Sequence, residues 1–292
     1  MAWRGVHISQ AARLNLRDRQ LVVGQDNGEV SLPIEDIAWL ILDTQQITLT
    51  GSLLSALSES GIIMIVPDGK HHPAGVLLPF HQHYAQAYIA HMQTDISLPL
   101  KKRLWQVLVI AKIRNQATLL NLLERPQAKT LFTMAERVNS GDPDNIEAQA
   151  ARMYWSALFC DFIRENETDR RNALLNYGYA VVRAALARAC TASGLLPAFG
   201  IHHASRSNAF NLVDDLIEPF RPFVDRLAYN RVEECHADEL TVDDRRYMAA
   251  VLNHNTTIGS HQMTILAATE AIAMSTVRAM ENSSASLLQI PC

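Results

Sequence analysis

Over the first seventy residues the apolar positions come in runs of three to six, each bounded by turn formers. Leu21-Val22-Val23 and Val30-Ser31-Leu32 flank Asp26-Asn27-Gly28, where an Asn-Gly pair favours the positive φ of a tight hairpin turn. Ile37 to Leu42 and Ile62 to Val66 are short continuous apolar runs of the kind that form buried strands. Between them Leu53, Leu54 and Leu57 recur at helical spacing, with Gly61 placed to stop the helix. Pro67, Asp68, Gly69, Pro73, Gly75 and Pro79 then break the pattern and predict a linker over 71–83. From residue 84 the period becomes helical. Leu104, Val107, Leu108, Ala111, Leu119 and Leu122 make one stripe, Ala- and Leu-rich segments follow at 146–164 and 172–192, and further helices are expected at 209–228, 241–253 and 258–280. The pattern predicts an α+β protein of two domains, a small β-rich domain over 1–70 and a larger all-helical domain over 84–292.

Composition adds little to this picture and charge adds more. Across 292 residues, 48% are apolar and 19% charged, which excludes a disordered chain and supports folding throughout. A formal net charge of -4 argues against a nucleic-acid partner, but the distribution matters more than the sum. From Ile96 to Leu123 there are five cations, Lys101, Lys102, Arg103, Lys112 and Arg114, and no carboxylate. Such a stripe is either a phosphate-binding field or a solvated helix face; if it binds, Lys112 and Arg114, near the middle of the helix, are the expected direct contacts. Cys160, Cys190, Cys235 and Cys292 form no CxxC pair and no signal peptide opens the chain, so reduced thiols in a cytoplasmic protein are expected. Arg183, Arg188 and Glu270 interrupt the longer apolar stretches before they reach membrane-spanning length. His71, His72, His81 and His83 cluster in the linker without a cysteine or a spaced carboxylate, and are read as polar linker residues.

The candidate chemistry lies in three phrases: Asn145-Ile146-Glu147-Ala148-Gln149, Gly200-Ile201-His202-His203-Ala204-Ser205-Arg206, and Asp214-Asp215-Leu216-Ile217-Glu218-Pro219-Phe220-Arg221. Each has a plain structural reading. Asp144 can cap a helix on which Glu147 closes a capping box at the third position; the His202-His203 pair can cap backbone groups; Asp215 and Glu218, three apart, share a helix face beside a kink at Pro219. Taken together, two carboxylates and an imidazole form a mainly hard donor set suited to Mg²⁺ or Mn²⁺. A facial iron site uses the same trio, but on a β-barrel with a closely spaced first pair, unlike this helical region. No phosphate-binding Gly-rich loop with Lys-Ser/Thr is present and no nucleophilic serine or cysteine motif is evident.

In order and spacing these phrases, with Asn172-Ala173-Leu174-Leu175-Asn176-Tyr177-Gly178-Tyr179 between the first two, resemble the spacer-acquisition integrase of CRISPR systems. The opening Met1-Ala2-Trp3-Arg4 and the compact length resemble its type II form. The resemblance implies that Glu147, His203 and Glu218 hold a divalent cation, with Asp215 as a nearby acid. It implies an enzyme that inserts prespacer DNA into the repeat of a CRISPR array by transesterification and cuts branched DNA. By the same resemblance, two copies dimerise through their β domains, and two such dimers flank a dimer of the small partner protein of the adaptation pair as a heterohexamer, with a type II effector nuclease as a further partner. Lys101, Lys102, Arg103, Lys112, Arg114 and Arg206 are the expected DNA contacts. A stand-alone metal-dependent branched-DNA nuclease and a non-catalytic architectural DNA-binding subunit remain the alternatives.

Overall fold

A computed structural model describes residues 4–71, 73–79, 83–164, 166, 168–235, 237 and 239–292. Met1-Ala2-Trp3, and His72 and His81 of the histidine cluster, lie outside the described residues. The chain divides into two units, Met1–Gln82 and His83–Cys292.

The first unit contains β1 (Arg4–Ile8), β2 (Ala12–Arg17), β3 (Gln20–Gln25), β4 (Gly28–Pro33), β5 (Ile37–Leu42), β6 (Ile47–Leu49), α1 (Gly51–Glu59), β7 (Ile63–Pro67) and β8 (Pro73–Leu77). Two four-stranded sheets form, in the orders β1-β5-β7-β8 and β4-β3-β2-β6. β5 is buried at all six positions, between parallel neighbours β1 and β7, as an unbroken apolar run requires. The hairpin pairs Gln25 with Gly28, so Asp26-Asn27 form the loop and Gly28 supplies the positive φ of 131°. Gly5 faces Trp39 across β1 and β5, and a Cβ there would stand 1.9 Å from the indole. One core joins both sheets to α1 through Leu14, Leu21, Ile37, Leu40, Leu53 and Leu57. The expected linker over 71–83 is corrected by β8, which closes the edge of its sheet against β7. Pro73 is tolerated because it opens an edge strand, where a missing N–H breaks little of the ladder.

The second unit contains α2 (Gln86–Asp95), α3 (Leu98–Leu122), α4 (Gln127–Glu136), α5 (Ile146–Leu158), α6 (Arg170–Ala192), α7 (Asn211–Leu216), α8 (Arg221–Glu234), α9 (Val242–Ala249), β9 (Asn255–Ile258), β10 (His261–Thr264) and α10 (Ile265–Glu281). The long helices α3 and α6 run through its core; Leu104, Leu108 and Ile113 of α3, and Leu174, Val182 and Leu186 of α6, are fully buried. Gly178 lets α8 and α9 approach α6, since a Cβ there would meet Val224 at 2.5 Å and Met248 at 2.8 Å. The all-helical expectation is corrected by the antiparallel pair β9 and β10. Thr256-Thr257-Ile258 favour a strand, Gly259 turns it with φ 60°, and the helix expected from 258 begins only at Ile265, where the Thr264 side chain accepts from Ala267 N.

Candidate active site

Glu147 sits at the second position of α5. The helix is entered through Asn145 in the left-handed region, φ 51°, and its first amides are taken by Asp142, which accepts from Ile146 N at 2.8 Å and Glu147 N at 3.0 Å. The expected capping box from Asp144 to Glu147 does not form, because Asp142 already does that work. The Glu147 carboxylate turns instead to α3, where Lys112 Nζ lies 2.5 Å from its Oε1.

Glu218 meets the same ammonium. α7 ends at Leu216, and the chain tightens into a 3₁₀ turn over Glu218–Phe220 with Pro219 inside it, before α8 begins at Arg221. Asn115 Nδ2 of α3 donates to the carbonyls of Pro219 and Pro291, each at 2.9 Å, and pins that turn. Glu218 is buried; its Oε1 accepts from Arg221 Nε at 2.9 Å, and its Oε2 stands 2.5 Å from Lys112 Nζ. Charge and hydrogen bonding from that ammonium both act on Glu218. Burial by itself would raise the Glu218 carboxyl, but Arg221 and Lys112 outweigh it and hold the group at about 2. Burial would lower Lys112, and the fields of Glu218 and Glu147 carry it above the ordinary lysine value.

Asp215 and Glu218 take different partners. Asp215, fully buried on α7, faces the 201–203 loop: its Oδ2 accepts from Ile201 N at 2.6 Å and His202 N at 3.0 Å, and its Oδ1 from His203 N at 3.1 Å. His203 Nδ1 lies 2.7 Å from the same Oδ1. Gly200 permits the wrap, since a Cβ there would stand 2.2 Å from the His203 carbonyl oxygen and 2.8 Å from Asp215 Oδ2. The Asp215 hydrogen bond raises the His203 pKa and, in the neutral ring, leaves Nε2 as the nitrogen able to take a ligand. The His203 side chain is 44% exposed, so that nitrogen is reachable. The Trp105 indole of α3 stacks on His202, centroids 4.1 Å apart and planes within 5°, and meets His203 edge-on at 5.8 Å.

His203 lines a cleft of about 380 Å³ with Arg164, Asn176, Tyr179, Arg183, Asp214 and Arg221. Arg164, Tyr179 and Arg221 also line a smaller cavity of about 200 Å³ with Lys112, Gln116, Trp155, Glu218 and Asp225. Tyr154 and Tyr179 both donate to the buried Asp225 carboxylate, the first at 2.7 Å. The structure thus joins Glu147 to Glu218 through Lys112 and places His203 on the adjoining cleft. Among the described residues no three His, Cys, Asp or Glu side chains form a ready-made metal cluster. The donor set nonetheless fits a divalent ion: Glu218 Oε2 is a buried acceptor whose close partner is itself a cation, and His203 Nε2 is available.

The expected basic stripe divides. Lys102, Arg103 and Arg114 are exposed, as is Arg206, and Lys101 is half-buried. Lys112 is corrected: it is buried and paired with two carboxylates, so it has no place on a phosphate-binding surface in this arrangement. Arg164, Arg183, Arg221 and Tyr179, which shape the cleft, were not singled out as site residues. Arg221 lies three residues beyond Glu218, Tyr179 and Arg183 reach the cleft from α6, and Arg164 is held there by Asn172 and Asn176 of that helix. Among the described residues no helix is long and apolar enough to cross a membrane.

A strand-rich unit and a helical unit, the latter carrying a carboxylate pair beside a histidine-bearing cleft, describe a two-unit α+β protein. The chain belongs to the Cas1 family: the model described as CRISPR associated protein Cas1 matches residues 6–257. The chain is 39% identical over 293 residues to the CRISPR-associated endonuclease Cas1 of Neisseria meningitidis serogroup C (strain 8013), covering 100% of this chain and 96% of that one. Among solved structures it is similar to a casposase bound to integration product, with a TM-score of 0.78, 16% identity and 97% and 92% of the two chains covered. It is also similar to a chain of a Cas6-RT-Cas1--Cas2 complex, with a TM-score of 0.76 and 18% identity over 98% of this chain, which spans 36% of that longer one. These two likenesses show the α+β fold.

Proposed function

We propose that this protein is the integrase of CRISPR adaptation. It joins the 3′-hydroxyl ends of short foreign DNA to the leader-proximal repeat by divalent-metal-dependent transesterification, and cuts branched DNA at the same centre. The observation that carries the reading is the Glu147 and Glu218 pair gathered about one cation beside a histidine oriented by Asp215. Family membership, and the Neisseria relative described as an endonuclease, support it.

Glu147, Glu218 and His203 Nε2 would hold Mg²⁺ or Mn²⁺, which when bound polarises the phosphoryl oxygen and stabilises charge on the attacking and departing oxygens. Asp215 keeps His203 in the tautomer that presents Nε2. Arg221 holds Glu218 ionised, Arg183 is paired with Asp214 at 2.6 Å, and Arg164, hydrogen-bonded to the neutral amides of Asn172 and Asn176, offers the cleft a positive charge for the DNA backbone. In the joining step a 3′-hydroxyl gives up its proton and its oxygen forms a new bond to phosphorus as the bond to another 3′-oxygen breaks, and the departing oxygen takes up a proton in turn. One phosphodiester replaces another, so no nucleoside triphosphate is consumed.

Residues 1–70 are assigned to homodimerisation, 84–292 to catalysis and DNA binding, and Lys101, Lys102, Arg103, Arg114 and Arg206 to phosphate contacts. The small partner of the adaptation pair completes a heterohexamer on the prespacer and repeat DNA, a reading supported by the Cas6-RT-Cas1--Cas2 complex. A type II effector nuclease is a further partner, and the cytoplasm is the site of action. The test is strand transfer of a labelled prespacer into repeat DNA with the partner protein present. Glu147→Ala, His203→Ala and Glu218→Ala each abolish joining with the fold intact. Cleavage without joining by the wild type would refute integration.

A further inference from the structure

Lys112 is an unusual occupant of its position. A lysine in mid-helix with its ammonium buried among carboxylates has lost its water, and that loss is recovered only through close partners. Lys112 finds them in Glu147 and Glu218, at 2.5 Å each. One turn further along α3 lies Gln116, only 2% exposed, whose Oε1 has no hydrogen-bond partner. A buried carbonyl oxygen without a donor is costly and calls for an explanation. Residues four apart on a helix are neighbours, and Lys112 and Gln116 line the same cavity of about 200 Å³, with Asp225 on its wall. That space gives the ammonium a second place to rest and the orphaned amide oxygen its missing donor.

We propose that Lys112 is a two-position placeholder, standing between Glu147 and Glu218 while no divalent ion is bound and swinging one turn along α3 to Gln116 when the ion arrives. In the first position it keeps the two carboxylates gathered against their mutual repulsion; in the second it leaves them to the metal. Lys112 is thus a positioning residue. The inference rests on the reading of Glu147 and Glu218 as ion ligands.

The test uses the full chain and Mn²⁺ alone, with affinity read from the electron paramagnetic resonance of free Mn²⁺ and stability from thermal melts. Lys112→Met removes the competitor and binds Mn²⁺ about tenfold more tightly, while its metal-free form melts lower because two carboxylates have lost their cation. Gln116→Leu leaves the metal-free melt unchanged or higher and binds Mn²⁺ about tenfold more weakly, because the displaced ammonium has lost its acceptor. In the double variant the Gln116 effect disappears, since no ammonium remains to be received. Unchanged or weaker Mn²⁺ binding by Lys112→Met overturns the proposal, as does a Gln116→Leu effect that persists without Lys112. If Lys112→Met fails to fold, Gln116→Leu decides alone, and wild-type affinity in it overturns the swing. Wild-type protein that binds no Mn²⁺ removes the metal-site reading itself, whereas normal wild-type binding with indifferent variants removes only the placeholder.

Discussion

Replacing Asp215 by Asn is the most exacting test of the site, because it changes one atom and keeps the shape. Asp215 is fully buried, and each of its oxygens has two partners: Oδ2 faces Ile201 N and His202 N, while Oδ1 faces His203 N and His203 Nδ1. An asparagine amide has one oxygen and one NH₂ group. Turned one way, the NH₂ faces the Ile201 and His202 amides; turned the other, it faces His203 N and Nδ1, and Nδ1 can accept in the other ring tautomer, so one or two charge-assisted hydrogen bonds are lost. At about 1.5–3 kcal/mol for each bond to a charged group, the cost is about 1.5–6 kcal/mol, a sizeable fraction of the roughly 5–15 kcal/mol that holds a domain together. The urea midpoint should fall accordingly. His203 should also lose its fixed tautomer, read from its ring ¹⁵N shifts, and Mn²⁺ affinity should drop together with joining. A variant with wild-type midpoint, unchanged His203 shifts and normal joining would refute the assignment of Asp215 as the anchor of the loop.

Gly200→Ala should disrupt the same loop from the other side, since its Cβ would stand 2.2 Å from the His203 carbonyl oxygen; reduced Mn²⁺ affinity with the remaining helices intact by circular dichroism is expected. Asp225 is pushed up to about 6 by burial, outweighing the hydrogen bonds from Tyr179 and Tyr154. Between pH 4 and 6 the folded state therefore holds a proton that the unfolded chain has released, and stability falls as pH rises through that window by up to about 3 kcal/mol. Asp225→Asn should gain on the wild type across the same window in urea titrations, and a flat difference would refute the shift. Lys102, Arg103 and Arg114 are exposed, and replacing all three by Ala should flatten the slope of log affinity against log salt by up to about 2.7 on duplex DNA. An unchanged slope would make them solvated surface.

The pattern of apolar residues carried the fold wherever packing alone decides. Ile37–Leu42 is apolar at every position and is β5 at those bounds, and the helical spacing around Leu53 and Leu57 produces α1. It failed where a short strand borrowed the residues of a loop or a helix, at Pro73–Leu77 and Asn255–Ile258. At the site, the residue types of Glu147, His203 and Glu218 were legible from their phrases, but the connections were not. The left-handed turn at Asn145 hands the cap to Asp142, and Asp215 binds backbone N–H groups that no side-chain pattern records. Lys112 was readable after all. It lies four residues beyond Leu108 and eight beyond Leu104, on the buried stripe of α3, and helical phase rather than local charge was the signal to follow.

The stacking of Trp105 on His202 has an optical consequence. An indole stacked on one imidazole and set at right angles to another changes its emission when those rings move. Trp39 lies in the other unit, and Trp155 packs with Phe159 and Phe162, so neither rides on the 201–203 segment. Trp3 lies outside the described residues; Trp105, on α3, therefore reports on the loop that carries His203, and displacement of that loop from α3 can be followed in unlabelled protein on the timescale of mixing.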